Sequence, residues 1–234
     1  MGLAGERVAA LIPAAGRGSR MGGPVAKPFL RLGAREILAY TLDVFETCTV
    51  IDEVWVIVAP QHRTLCQHTV VEQYGFHKVR GVIAGGATRQ ESVWQGLQRL
   101  GDDVNVVVVH DGVRPFVTRD LVQATVQQAT LHGAAIAAIP LKDTLKRVSE
   151  TGEVEATVSR QGLWRIQTPQ AFRRQLLHEA FRHAWAQGIT ATDESGLVED
   201  YGQQVRIVPG AESNVKITTP DDLLVGASLI HHRG

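Results

Sequence analysis

An apolar run, Val8-Ala9-Ala10-Leu11-Ile12, leads directly into Pro13-Ala14-Ala15-Gly16-Arg17-Gly18-Ser19-Arg20-Met21-Gly22, with Lys27 just beyond. Glycines in such a loop let backbone N–H groups approach phosphate oxygens, and Arg17, Arg20 and Lys27 can offset several negative charges. The segment therefore reads as a place to hold a nucleoside triphosphate at the end of a strand. It matches neither familiar phosphate fingerprint: there is no Gly-Lys-Ser/Thr ending, and the last glycine of the dinucleotide pattern is missing. Taken alone, a basic glycine-rich surface turn accounts for it as well.

Two further loops repeat this placement. Gly85-Gly86-Ala87-Thr88-Arg89-Gln90-Glu91-Ser92 links an apolar run to a helical one, so its paired glycines and the capping hydroxyl of Thr88 can approach a base or ribose, with Arg89 and Ser92 one turn apart on the helix, although a plain helix start accounts for it as well. His110-Asp111-Gly112-Val113-Arg114-Pro115 follows Val106-Val107-Val108-Val109. Asp111 can orient a hydroxyl or a hydrated magnesium ion, and Arg114 can meet phosphate, although the same pair can simply brace the loop. His110 reads as a packed, hydrogen-bonded core histidine. The other polar clusters are Thr144, Arg160, Thr168, Thr192-Asp193-Glu194-Ser195 and Asn214-Val215-Lys216. Each alone reads as a surface charge or a cap; together they suit a phosphorylated, hydroxyl-rich molecule. No His/Cys spacing indicates zinc, no nucleophile elbow is present, and no metal ligand is assigned.

The elements that must hold these loops are legible from apolar periodicity. Strands are expected at 8–12, 54–58, 78–84, 104–109 and 134–139. Helices are expected at 36–48, 61–74, 88–100 and 118–131, with Thr88 and Thr118 as caps. This alternation predicts an α/β fold with a doubly wound, mostly parallel sheet, whose ligands gather at the carboxyl ends of the strands. The rhythm changes between 140 and 168, where 142–148 and 153–158 read as two strands joined by Ser149-Glu150-Thr151-Gly152. This inserted β-hairpin arm is expected to act as a dimer arm or a lid. A helix from Phe172 to about Gln187, a strand at 205–208 and a helix at 220–230 complete the reading, and 1–234 is expected to form a single domain.

Composition bounds the partners. The 234 residues are 44% apolar and 21% charged, and 24 Lys and Arg balance 24 Asp and Glu. A balanced charge argues against nucleic acid as a partner, and the four tryptophans do not interleave with basic stretches. Cys48 and Cys66 form no CxxC pair, there is no secretory h-region, and no apolar run reaches 18 residues. A cytoplasmic protein without a membrane partner is expected.

These motifs, with Asp143-Thr144, Lys146-Arg147, Gly162-Leu163-Trp164 and Thr168-Pro169-Gln170 in the same order along nearly the whole chain, resemble the 2-C-methyl-D-erythritol 4-phosphate cytidylyltransferase family. The resemblance implies a Rossmann-like nucleotidyltransferase fold and a homodimer with exchanged β-arms. It also implies transfer of a cytidylyl group from CTP to 2-C-methyl-D-erythritol 4-phosphate in non-mevalonate isoprenoid biosynthesis, with Mg²⁺ carried mainly by the CTP phosphates. By resemblance, Arg20, Lys27 and Lys216 are catalytic, and Ala14, Ala15, Gly16, Gly18, Gly86 and Ser92 line the nucleotide site. Asp111, Arg114, Thr144, Arg160, Thr168, Thr192 and Lys216 hold the acceptor, with Arg160 and Thr168 supplied by the partner's arm. Two other readings stay open: a cytidylyltransferase for ribitol 5-phosphate or another polyol phosphate, and a catalytically silent nucleotide-binding protein. One departure is Pro28, where the family commonly has glutamine after the lysine. Proline removes a donor and fixes φ, so the loop or one nucleotide contact is expected to differ.

Overall fold

The computed structural model describes residues 5–16 and 25–231. In chain order the elements are β1 (Val8–Pro13), β2 (Arg31–Leu32), β3 (Arg35–Glu36), α1 (Ile37–Thr47), β4 (Glu53–Val58), α2 (Arg63–Cys66), β5 (Val79–Ala84), α3 (Arg89–Leu97), β6 (Val106–Val109), α4 (Arg119–His132), β7 (Ala134–Pro140), β8 (Leu145–Val148), β9 (Val154–Val158), β10 (Trp164–Arg173), α5 (Arg174–Gln187), α6 (Glu194–Asp200), β11 (Arg206–Pro209) and α7 (Pro220–His231). Helix α2 runs on into a π-helical stretch, Gln67–Glu72.

Seven strands form one sheet in the order β11-β7-β10-β6-β1-β4-β5. Every neighbouring pair is parallel except the two made by β10, which runs antiparallel to β6 and β7. The strand order reverses beside β1, whose loop and that of β6 therefore flank a crevice at the carboxyl edge.

Alternation along the central strands explains the helical layers. Val106 and Val108 face one side with Leu38, Leu42 and Phe45 of α1 and Val122 and Val126 of α4. Val107 and Val109 face the other side with Val93 and Leu97 of α3 and Leu177 and Phe181 of α5. A sheet buried on both faces needs such unbroken apolar runs. Phe45, Phe172 and Phe181 are fully buried, each contributing about 2 kcal/mol or more by area. A small third cluster, Leu32, Ile37, Val113, Phe116 and Ile217, docks α7.

The expected helices begin where their caps predict. Thr88 and Glu91 form a reciprocal capping box on α3, and the Thr118 side chain accepts from Leu121 N–H on α4. One expectation is corrected. Residues 164–173 are a sheet strand, so the helix expected from Phe172 starts at Arg174. Pro169 masked this strand, although Trp164-Arg165-Ile166-Gln167 alternates apolar and polar as a strand should. Thr192-Asp193-Glu194-Ser195 leads into α6, a helix the periodicity did not mark, and Asp193 caps it, its side chain accepting from Gly196 N–H. The expected hairpin is present as β8 and β9, paired antiparallel and outside the main sheet.

Candidate active site

Four strand ends are tied together at the crevice by backbone hydrogen bonds. Ala14 N–H donates to Ile57 O at 2.7 Å, Gly85 N–H to Val58 O at 2.8 Å, His110 N–H to Leu11 O at 3.0 Å and Gly112 N–H to Pro13 O at 3.1 Å. Above them lies a cavity of about 540 Å³, whose walls include Ala14, Ala15, Gly16, Lys27, Gly86, Arg89, Ser92, Asp111 and Lys216. The glycines keep this wall low. A Cβ on Gly85 would stand 2.7 Å from Ser92 Oγ and 3.0 Å from Ala15 Cβ. Ser92 is itself buried, accepting from Gly86 N–H at 3.1 Å and donating to Thr88 O at 2.8 Å, so its hydroxyl shapes the 85–88 loop.

Lys27 opens a single 3₁₀ turn, Lys27–Phe29, on the opposite wall. The turn's hydrogen bonds come from Phe29 N–H to Ala26 O and Leu30 N–H to Lys27 O. Neither requires a donor at position 28, so Pro28 fits the turn and its fixed φ suits that place.

At the floor, Asp111 collects three cations. Lys216 Nζ lies 2.9 Å and Arg114 Nε 3.2 Å from its Oδ2, while Arg89 Nη2 is 3.5 Å from Oδ1. Burial alone would raise the Asp111 carboxyl, but Lys216, Arg89 and Arg114 outweigh it and hold the group well below the usual carboxylate range. Arg89 also meets the buried Glu194, Nη1 to Oε1, at 2.5 Å. Burial opposes the charge on Arg89, yet Glu194 and Asp111 overcome it and keep the guanidinium charged. Burial pushes Glu194 upward. Asp193 also acts on Arg89, so three carboxylates meet three cations here, and Lys27 on the cavity wall adds the positive charge suited to phosphate, beside an Asp111 carboxylate suited to hydroxyls.

The supports come from β10 and the loop before α7. Asn214 Nδ2 donates to Thr168 O at 2.8 Å, Arg114 Nη1 donates to Asn214 O at 2.8 Å, and Ile217 N–H donates to Val113 O at 2.9 Å. These contacts fix Lys216 over Asp111. Thr168 is buried under Asp111 of its own chain, its Oγ1 accepting from Asp111 N–H at 3.1 Å. His110 packs against Phe45, and burial pushes its imidazolium down to about 4.

The structure thus brings Ala14, Ala15, Gly16, Lys27, Gly86, Ser92, Asp111 and Lys216 around one cavity, with Arg114 just behind it. Arg20 and Gly18 lie outside the described residues. Thr144 and Arg160 are exposed at the foot of the hairpin, where Arg160 Nη1 donates to Lys142 O. Thr192 is exposed just before α6. None of these three lines the cavity of its own chain. Sequence reasoning did not assign Arg89, Glu194 or Asn214 to the site. Arg89 carried a signal, since it opens the helix after the second glycine loop; Glu194 and Asn214 stood out only as members of polar clusters, and their individual roles were not legible because their partners are remote in sequence.

Comparison with known proteins places this geometry. The family model IspD, 2-C-methyl-D-erythritol 4-phosphate cytidylyltransferase, matches residues 8–232. A 2-C-methyl-D-erythritol 4-phosphate cytidylyltransferase of Geotalea uraniireducens is 45% identical over 226 residues, covering 96% of this chain and 97% of the relative. The crystal structure of 4-diphosphocytidyl-2C-methyl-D-erythritol synthase from Anaerococcus prevotii superposes with a TM-score of 0.84 at 31% identity, covering 97% of each chain. The 2-C-methyl-D-erythritol 4-phosphate cytidylyltransferase of Thermus thermophilus gives 0.77 at 34% identity, over 96% of this chain and 99% of that one. With the match running from β1 to the end of α7, the chain belongs to the 2-C-methyl-D-erythritol 4-phosphate cytidylyltransferase family.

Proposed function

We propose that this chain catalyses cytidylyl transfer from CTP to 2-C-methyl-D-erythritol 4-phosphate, giving 4-diphosphocytidyl-2-C-methyl-D-erythritol and pyrophosphate in isoprenoid biosynthesis. The observation that carries the reading is Asp111 under three cations on the floor of a glycine-walled cavity that also holds Lys27. A phosphate oxygen of the acceptor attacks the α-phosphorus; a new P–O bond forms, and the bond to the departing pyrophosphate breaks with its electron pair. The acceptor phosphate is already anionic, so no protein base is needed. Catalysis then rests on in-line placement and on offsetting the charge that crowds at the α-phosphate. Lys27, Lys216 and, by family resemblance, Arg20 supply that charge, while Asp111 takes acceptor hydroxyls. The low wall at Ala14, Ala15, Gly16 and Gly86 admits the nucleotide.

Magnesium fits this scheme as a passenger of the triphosphate. Among the described residues no group of three His, Cys, Asp or Glu is placed to hold a metal ion, and the cavity's Asp111 is already surrounded by cations. Mg²⁺ would therefore sit mainly on CTP phosphate oxygens, where it lowers their negative charge.

The chain acts as a single catalytic domain, and residues 140–168 serve as the arm of a homodimer. Exposed apolar side chains on and beside that arm, among them Val148, Val154, Leu163 and Trp164, support the assignment. Thr144 and Arg160 would then reach the partner's acceptor site. No helix among the described residues is long and apolar enough to cross a membrane.

The test is CTP-dependent pyrophosphate release with Mg²⁺, comparing 2-C-methyl-D-erythritol 4-phosphate with ribitol 5-phosphate. Turnover with the first and not the second is expected. Preference for ribitol phosphate would overturn the acceptor, and nucleotide binding without pyrophosphate release would overturn the enzyme.

A further inference from the structure

The two oxygens of Asp111 are used unevenly. Oδ2 receives both Lys216 and Arg114, whereas among the described residues Oδ1 is faced by Arg89 at 3.5 Å, beyond good hydrogen-bond length. A guanidinium beside a poorly solvated carboxylate ordinarily closes to 2.7–2.9 Å. Arg89 is kept from doing so by Glu194, which holds its other terminal nitrogen at 2.5 Å.

Both ends of that restraint are anchored. Arg89 is the first residue of α3, fixed by the Thr88–Glu91 capping box. Glu194 is the first residue of α6, and its neighbours are clamped to β10: Gln170 Nε2 donates to Asp193 Oδ2 at 2.7 Å, and Ser195 N–H donates to Gln170 Oε1 at 3.2 Å. Glu194 is only 1% exposed, and its Oε2 has no hydrogen-bond partner among the described residues. A buried carboxylate with one oxygen unsatisfied is costly, so stability alone is a poor reason for its presence.

We propose that Glu194 is a positioning residue: by drawing Arg89 to itself it leaves Asp111 Oδ1 open to accept a hydrogen bond from a hydroxyl of the polyol acceptor. Glu194 does not line the cavity, so it acts through Arg89 and not on substrate. The inference rests on the cytidylyl-transfer reading of this site. In Glu194→Gln the pull on Arg89 weakens, the guanidinium closes on Asp111, and the acceptor hydroxyl must displace it.

Steady-state kinetics of the intact protein with CTP, Mg²⁺ and 2-C-methyl-D-erythritol 4-phosphate separates the possibilities. Glu194→Gln is expected to raise KM for the acceptor about tenfold, the size of one hydrogen bond to a charged group, with KM for CTP within about twofold. The conservative variant Glu194→Asp keeps a carboxylate beside Arg89, and its acceptor KM is expected to lie closer to wild type than that of Glu194→Gln. An unchanged acceptor KM in Glu194→Gln, an equal rise in both KM values, or an acceptor KM in Glu194→Asp no lower than in Glu194→Gln each overturns the proposal. Absence of turnover in the wild type overturns the cytidylyl-transfer reading itself, and the proposal with it.

Discussion

His110 Nδ1 lies 3.0 Å from the Thr168 hydroxyl, and the hydrogens around that contact can run in only one direction. His110 Nε2 faces the Arg114 carbonyl at 3.2 Å, and a carbonyl only accepts, so Nε2 carries the ring hydrogen. With the ring neutral, Nδ1 is bare and must accept from Thr168. The Thr168 oxygen then accepts Asp111 N–H at 3.1 Å. One histidine thereby fixes residues 111, 114 and 168 beneath the cavity, and only as the neutral imidazole.

This arrangement dictates how stability depends on pH. Burial pushes His110 down to about 4 in the fold, against about 6.5 in an unfolded chain, with Asp111, Arg114 and Lys216 as the charged neighbours. Between those values the unfolded state binds more protons, so stability is lost as pH falls from about 6.5 toward 4. The loss from this group is about 2 kcal/mol by pH 5. Urea unfolding at pH 7.5 and pH 5 checks it: the stability gap between wild type and His110→Asn should shrink at pH 5, and a constant gap would count against the neutral histidine.

Thr168→Val keeps the shape but removes the hydroxyl, leaving Asp111 N–H and His110 Nδ1 unsatisfied in a buried place. Thermal or urea unfolding should show a loss of about 2 kcal/mol, with Thr168→Ser much closer to wild type. Equal stability of the valine and wild-type proteins would show that the hydroxyl braces nothing.

Lys27 and Lys216 stand over the cavity without contributing to the apolar core. Alanine at either position should lower turnover at saturating substrates about 10²- to 10³-fold, the usual cost of deleting a donor that stabilises developing charge. Folding, read by circular dichroism, should be retained. Near-normal turnover in Lys27→Ala would remove it from the catalytic set.

The parts of the fold legible in the sequence are those whose signals are local. Val106 to Val109 reads as a doubly buried strand, and Thr88 and Thr118 read as caps because each is satisfied within one helical turn. β10 was hidden because Pro169 interrupts it and its partners, β6 and β7, lie far upstream. The cavity wall was legible because sheets of this kind gather their ligand loops at one edge. The Arg89–Glu194 pair was not, since 105 positions separate the two residues and only the packing of α6 against β10 brings them together.

Gly85 and Gly86 are set by close approach. A Cβ on Gly86 would lie 2.5 Å from Glu91 Cβ, inside the turn that the capping box closes. Gly86→Ala should therefore raise KM for CTP severalfold and cost about 1–3 kcal/mol, because added volume in a packed site forces its neighbours apart. Gly75→Ala offers a contrast: no atom lies within 4 Å of its Cβ, and its cost would come from the positive φ of 68°. A normal KM for CTP in Gly86→Ala would show that the nucleotide does not use this wall.

The hairpin gives the last prediction. Val148 and Val154 pair across β8 and β9 and are 49% and 62% exposed, an apolar pair in contact with solvent on an element outside the main sheet. Such a pair is better explained by an interface than by packing within one chain. Val148→Asp/Val154→Asp should weaken self-association in sedimentation experiments and leave the far-ultraviolet spectrum of the sheet and helices intact. Because Thr144 and Arg160 sit at the foot of the same arm, acceptor KM should rise in step with the monomer fraction. If the variant becomes monomeric at unchanged acceptor KM, the arm serves association alone, and each acceptor site is complete within its own chain.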